Sequence, residues 1–125
     1  MQPSASTEPH NGVLLCIDDN PDLLECEKAF LESHGYSVLV ARSGARGLEL
    51  ASMYPVDVVI VDYSMPDMNG REFAIEMRRL KPEARIIMLS AAVDLPRQAL
   101  ELVNAFVAKD HLSRELLSAI SAVRQ

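Results

Sequence analysis

Five polar residues of this sequence each follow an apolar segment, and together they have the chemistry of a cation and phosphate site. They are Asp18, Asp19, Asp62, Ser90 and Lys109. Carboxylates held close together repel one another, so either a proton or a cation must lie among them. Oxygen ligands favour Mg²⁺, while a lysine and a hydroxyl can bind the oxygens of a phosphoryl group. If these residues meet in the fold, they predict Mg²⁺-dependent phosphoryl transfer onto an aspartate.

The elements that would bring these residues together are strands that alternate with helices. Apolar and β-branched runs predict strands at Val13–Ile17, Tyr36–Ala41, Val56–Val61, Arg85–Leu89 and Ala105–Ala108. Helical spacing, caps and prolines predict helices over about 21–35, 43–53, 71–80, 96–102 and 112–123. Strands separated by helices pair in parallel through right-handed crossovers. The predicted fold is therefore α/β, a (βα)₅ three-layer sandwich whose five parallel strands end at one edge.

The charge balance of the chain disfavours one class of partner. The formal net charge is −6, and residues 1–62 hold ten acidic and three basic residues. A nucleic-acid binder needs a basic face to neutralise phosphates, so we expect no nucleic-acid partner. Most of the acidic excess is predicted to be solvated helix surface, including Glu25, Glu27 and Glu32.

The length of 125 residues predicts a single domain. Residues 1–11 are polar and contain two prolines, so we expect a flexible lead before a domain that covers residues 12–125. No apolar run approaches the roughly 20 residues of a membrane helix, and the N-terminus lacks the pattern of a signal peptide. We therefore expect a cytoplasmic chain with no membrane partner. The spacing of Cys16 and Cys26 matches no common zinc motif.

Each candidate site residue also has a simpler structural interpretation. Asp18 and Asp19 precede a helix, where acids stabilise the N-terminus. Ser90 taken alone is more typical of a turn, and Lys109 of a solvated surface. Phe106 taken alone is more often a core residue than part of a switch. These interpretations lose weight because four predicted strands end in such residues in one chain.

The order and spacing of these residues resemble the receiver domain of two-component response regulators, the CheY-like family. The resemblance extends from Val13 to the last predicted helix. The matching motifs are the Asp18-Asp19 pair, Asp62, the run Met65-Pro66-x-Met68-x-Gly70, the hydroxyl of Ser90 and the pattern Phe106-x-x-Lys109. Each motif is weak alone, whereas the ordered set is specific. The resemblance implies a flavodoxin-like sheet with strand order 2-1-3-4-5.

The resemblance also implies a role for each matching residue in phosphoryl transfer. Asp62 would accept a phosphoryl group from a phosphohistidine of a sensor histidine kinase or a phosphotransfer protein. Lys109 and Ser90 would contact that phosphoryl group. Mg²⁺ would be held by Asp18, Asp19, Asp62 and the backbone carbonyl of Ser64. The chain would not be an enzyme beyond catalysing its own phosphorylation and dephosphorylation.

Phosphorylation would then be passed on through a conformational switch. The resemblance assigns this switch to Ser90 and Phe106, which would alter the surface formed by the fourth helix, fifth strand and fifth helix. The sequence ends after its last predicted helix. The output is therefore expected through a downstream protein or an output domain outside this sequence, with a weak homodimer as a further expectation.

Three departures from the family pattern concern the last third of the chain. Asp110 stands where a proline usually follows the lysine. The interval between Ser90 and Phe106 is shorter than is common, and Val103-Asn104 replaces the usual Gly-Ala. We therefore expect the fourth helix to be short or displaced.

Two other functional classes stay open from the sequence. An aspartate-nucleophile phosphatase also uses Mg²⁺ and an α/β sheet, but it places a second aspartate two residues after the nucleophile, where Ser64 stands. A pseudo-receiver would be an interaction module that phosphorylation does not regulate. The absent proline and the short fourth helix favour it weakly, whereas the full acidic set disfavours it.

Overall fold

The computed structural model describes residues 12–91, 97–109 and 112–124, and within these ranges five strands alternate with five helices. The strands are β1 (Val13–Ile17), β2 (Ser37–Ala41), β3 (Val58–Asp62), β4 (Arg85–Ser90) and β5 (Ala105–Ala108). The helices are α1 (Pro21–Glu32), α2 (Gly44–Met53), α3 (Gly70–Leu80), α4 (Arg97–Glu101) and α5 (Leu112–Val123). The predicted flexible lead, residues 1–11, lies outside the described residues.

The five strands form one parallel sheet in the order β2-β1-β3-β4-β5, which confirms the predicted fold and strand order. Ile17 pairs with Ala41 on one side and with Val61 on the other. The strand ends differ slightly from the prediction, because β3 includes Asp62 and β4 includes Ser90 as their last residues. Both polar side chains are therefore anchored by strand backbone rather than by a loop.

Apolar side chains cover both sides of the sheet and form two separate clusters. One cluster packs α1 and α5 against the sheet, and we call it the α1/α5 face. Its fully buried members include Leu14, Leu31, Ile60, Leu116 and Ile120. The other cluster packs α2 and α3 against the opposite side, and we call it the α2/α3 face. Its fully buried members include Leu15, Ile17, Ala51, Phe73 and Met77.

Both helices that follow the acidic strand ends begin with an asparagine cap. The side chain of Asn20 accepts hydrogen bonds from the backbone N–H of Asp22 and Leu23, at 3.0 and 3.2 Å. At α3, Asn69 and Glu72 form a reciprocal capping box in which each side chain accepts the other's backbone N–H, both at 2.9 Å. These caps fix where each helix starts relative to the strand before it.

The segment between β4 and β5 is short, as expected, and α4 has only five residues. Arg78 near the end of α3 ties this segment to the rest of the fold. Its guanidinium donates to the backbone carbonyls of Pro82, Ala84 and Leu102 and to the side-chain oxygen of Asn104, the last at 2.8 Å. The same Asn104 oxygen accepts a backbone N–H of β4 at 2.8 Å. The starts of β4 and β5 are therefore held together at the end of the sheet opposite the acidic residues.

The sequence has no apolar run long enough for a membrane helix. Among the residues described above, no helix combines the length and the apolar character that crossing a bilayer requires.

Candidate functional site

The carboxyl ends of β1 and β3 bring three carboxylates together. These two strands are neighbours in the sheet, so Asp18 and Asp62 leave it side by side. One oxygen from each of Asp18, Asp19 and Asp62 lies within 4.8 Å of the others. Asp18 and Asp62 are almost completely buried, at 1% and 2% exposure, whereas Asp19 is exposed. The cluster therefore opens to solvent through Asp19.

Backbone amides orient the two buried carboxylates in the same way. Asp18 Oδ1 accepts the N–H of Asn20 at 3.0 Å, and Asp62 Oδ1 accepts the N–H of Ser64 at 3.4 Å. Each carboxylate thus has one oxygen fixed by the chain that follows its strand. The second oxygen of each remains directed toward the other elements of the site.

Lys109, directly after β5, contacts both of these second oxygens. Its Nζ lies 3.1 Å from Asp62 Oδ2 and 3.3 Å from Asp18 Oδ2. The contact with Asp18 is an ion pair only. Asp18 Oδ2 is buried and has no hydrogen-bond partner. One ammonium group therefore faces two carboxylates, and the site retains an excess of negative charge.

The pKa values of the site reflect this arrangement. Burial raises the pKa of Asp62, and the charge of Asp18 adds to the rise, although the hydrogen bond from Lys109 opposes it. Burial on its own would lower the pKa of Lys109, but the hydrogen bond and charge of Asp62 and the charge of Asp18 outweigh burial and raise it. The lysine is therefore held in its charged form, while Asp62 is harder to ionise than a solvated aspartate.

The other three predicted site residues, Ser90, Ser64 and Phe106, differ in burial. Ser90 is the buried last residue of β4 and pairs with Ala108, the residue before Lys109. Ser64 is exposed in the loop after β3. Phe106 on β5 is 38% exposed, so its ring is not a core residue in this structure. Asp110, which replaces the usual proline, lies outside the described residues.

The loop after Asp62 requires a glycine at its end. Gly70 begins α3, and its N–H donates to the carbonyl of Tyr63 at 2.8 Å. A Cβ at this position would lie 2.8 Å from Tyr63 Cα and 3.1 Å from the Asp62 carbonyl oxygen. Only a residue without a side chain therefore allows α3 to start so close to the backbone of Asp62.

Glu27 corrects one expectation from the sequence. The sequence predicts solvated surface for Glu27, as for Glu25 and Glu32, but the structure buries it to 4% exposure on the α1/α5 face. The buried residues of α1 are Leu24, Glu27 and Leu31, so an acid occupies a position in the apolar stripe. The spacing i, i+3, i+7 of these three residues was the signal that could have identified it.

A sequence model of the response regulator receiver domain matches residues 14–121. The chain belongs to this family. Receiver domains are modules of two-component response regulators, and the parallel sheet with order 2-1-3-4-5 is the fold found here.

Curated relatives of this receiver domain are longer proteins. The chain is 40% identical over 83 residues to the transcriptional regulatory protein GlrR of Escherichia coli K12, a match that covers 66% of this chain and 19% of GlrR. It is 39% identical over 82 residues to the transcriptional regulatory protein KdpE of Mycobacterium tuberculosis, covering 66% of this chain and 36% of KdpE. The chain therefore spans well under two thirds of the length of these relatives.

Solved structures of receiver domains match nearly the whole described chain. A receiver domain protein from Clostridium thermocellum has a TM-score of 0.83 at 30% identity, covering 90% of this chain and 94% of its own. The response regulator TrrA from Thermotoga maritima, solved in complex with Mg²⁺-BeF, has a TM-score of 0.82 at 30% identity. The match covers 90% of this chain and 98% of the TrrA chain.

Proposed function

We propose that this receiver domain accepts a phosphoryl group on Asp62 from a phosphohistidine of a sensor histidine kinase or a phosphotransfer protein. The observation that carries the proposal is the contact of one lysine with two buried carboxylates at the strand ends. Lys109 Nζ lies within 3.3 Å of oxygens of both Asp18 and Asp62. The contact supports the proposal, because the ammonium group of Lys109 could bind a phosphoryl group that the neighbouring Asp62 accepts.

The donor set fits a hard divalent cation. The three carboxylates of Asp18, Asp19 and Asp62 lie close enough to share one ion, and the carbonyl of Ser64 is proposed as a further ligand. Lys109 alone leaves the cluster negatively charged, and such a cluster is stabilised by a cation. Mg²⁺ bound there would offset the charge repulsion between a carboxylate nucleophile and an incoming phosphoryl group.

The residues of the chain then have distinct tasks in the transfer. An oxygen of the Asp62 carboxylate forms a bond to phosphorus while the N–P bond of the phosphohistidine breaks. The leaving imidazole keeps the electron pair of that bond and takes up a proton from solvent water. Lys109 binds an oxygen of the transferred group, and Ser90 is proposed to donate a hydrogen bond to another.

The switch and the output are proposed for the adjacent elements. Phe106 on β5 is 38% exposed, so its ring has room to change position when Ser90 engages the phosphoryl group. The relatives GlrR and KdpE are named transcriptional regulators, but the match covers only part of each. For this chain, with its net charge of −6, we propose a protein rather than a nucleic acid as the output partner.

The test is phosphorylation by a small-molecule phosphodonor in the presence of Mg²⁺, read by intact mass. We expect the parent chain to gain the mass of one phosphoryl group and the Asp62→Asn variant to gain none. The matched control is Asp67→Asn, which removes an exposed carboxylate five residues later in the same loop and should be phosphorylated normally. A parent chain that gains no phosphate, or an Asp62→Asn variant that gains it fully, contradicts the proposal.

A further inference from the structure

Glu27 is a buried carboxyl that the phosphoryl-transfer residues do not use. It lies on α1 at 4% exposure, between Leu24 and Leu31 in the stripe that packs on the sheet. Its Oε2 is buried without a hydrogen-bond partner. Leu24 and Leu31 pack in the same cluster as the completely buried Cys16 of β1, and Asp18, two residues after Cys16, leaves that strand on the same side. No lysine or arginine ion pair is recorded for Glu27 within the described residues.

The charged groups that act on Glu27 belong to the acidic site. They come from three strands: Asp18 after β1, Asp62 at the end of β3 and Lys109 after β5. Burial, followed by the charge of Asp18, raises the pKa of Glu27 to about 7, although the neighbouring thiol of Cys16 and the charge of Lys109 oppose the rise. The carboxyl is therefore electrostatically coupled to the site through the protein interior.

Glu27 is not itself part of the candidate ligand set. The carboxylate oxygens that lie within 4.8 Å of one another come from Asp18, Asp19 and Asp62. Glu27 is not a member of this cluster. A charge that acts through a buried region is screened less than one that acts through solvent. A buried carboxylate behind the ligands is therefore able to influence an ion that it does not contact.

We propose that Glu27 is an outer carboxyl of the acidic site, which strengthens cation binding through its charge without contacting the cation. This inference rests on the proposed function, because it requires that Asp18, Asp19 and Asp62 bind Mg²⁺. Glu27 acts on the cation only through its charge, and it contacts neither the cation nor the reacting atoms. In return, a cation in the site favours the ionised form of this otherwise unpaired carboxyl.

The experiment is a calorimetric titration of the purified chain with Mg²⁺ alone at about pH 8, where Glu27 is ionised. We expect Glu27→Gln to weaken Mg²⁺ binding by about fivefold, because the variant removes a buried negative charge that attracts the cation through the protein interior. The matched control is Glu25→Gln on the same helix, which removes an exposed charge and should leave the affinity within about twofold.

Two further arms separate a charge effect from a structural effect. Glu27→Leu, which restores an apolar stripe, should weaken Mg²⁺ binding as much as Glu27→Gln does, although it packs differently. At about pH 6, where Glu27 is mostly protonated, the ratio of the parent and Glu27→Gln affinities should fall toward one. A purely structural role for Glu27 would leave that ratio independent of pH.

The outcomes distinguish this inference from the proposed function. A parent chain that does not bind Mg²⁺ contradicts the metal site itself. A parent chain that binds Mg²⁺, with Glu27→Gln binding equally tightly at about pH 8, overturns the role of Glu27 and leaves the metal site standing. A pH-independent loss of affinity in Glu27→Gln also overturns it.

Discussion

The two faces of the sheet solve the same packing problem with different chemistry. On the α2/α3 face, Phe73 and Met77 belong to an apolar cluster that packs two helices against the sheet. On the α1/α5 face, the apolar cluster includes Cys16, and Glu27 is buried in the same helix stripe as Leu24 and Leu31. The two layers therefore differ in one respect: the α1/α5 face contains a buried acid that responds to the charge of the candidate site.

The largest expected effect tests the α2/α3 face. Phe73 is fully buried against β1 and β3, and Phe73→Ala should cost about 3–5 kcal/mol because it removes apolar contacts and leaves a cavity. Urea unfolding near neutral pH measures the change. The control is Leu80→Ala on the same helix, where the side chain is 44% exposed and the loss should stay below about 1 kcal/mol. A similar loss in both variants would contradict this description of the face.

The second prediction concerns the pH dependence of the α1/α5 face. Since the pKa of Glu27 rises from 4.5 to about 7 on folding, its protonated form is favoured in the native state. Its contribution to stability is therefore complete below about pH 4.5 and is lost as the pH rises through about 7. The loss amounts to at most about 3 kcal/mol.

Other carboxyls titrate in the same range, so the measured quantity is a difference between two proteins. The free energy of unfolding of the parent minus that of Glu27→Gln should fall between about pH 5 and pH 8. A flat difference would mean that Glu27 titrates equally in the folded and unfolded chain.

The third prediction replaces the buried acid by an apolar side chain. Glu27→Leu should stabilise the chain by about 1–3 kcal/mol near pH 8, because an ionised, unpaired carboxyl no longer has to be buried. Thermal and urea unfolding both measure this gain. Glu25→Leu, at an exposed position of the same helix, should change the free energy of unfolding by no more than about 0.5 kcal/mol. Destabilisation by Glu27→Leu would show that the carboxyl is well accommodated.

The smallest expected effect concerns the helix starts, where the two faces are alike. Asn20→Ala at α1 and Asn69→Ala at α3 should each cost about 1 kcal/mol, because each removes a side-chain acceptor from backbone N–H groups. Chemical unfolding of both variants gives the comparison. Asn69→Ala also disrupts the capping box, so a much smaller loss there than for Asn20→Ala would be unexpected.

The order of elements and the positions of the acidic residues were predictable from the sequence for one physical reason. A buried parallel strand is apolar along its length, so the first polar residue after it marks the edge of the sheet. This signal gave Asp18, Asp62 and Lys109, and the parallel topology then brings them together. The proposed roles of these residues come from the family resemblance and stay predictions.

Two residues, the buried Glu27 and the half-buried Arg78, were less accessible to sequence reasoning. Glu27 has acidic neighbours in sequence, and its type indicates surface, so only the helical spacing with Leu24 and Leu31 marks it as buried. Arg78 gave no signal, because its acceptors are mostly backbone carbonyls in other elements, and these are independent of residue type. Interactions of this kind depend on how the chain is arranged in three dimensions.

Arg78 has a consequence for the engineering of this chain. Its planar guanidinium reaches backbone carbonyls at several points and one amide oxygen at the same time. A lysine, with a single ammonium group on a flexible stem, cannot reproduce that geometry. In a library that varies surface charge, the exposed Arg79 can be exchanged for lysine, which keeps its charge beside Glu76, whereas Arg78 should be kept fixed like an apolar core position.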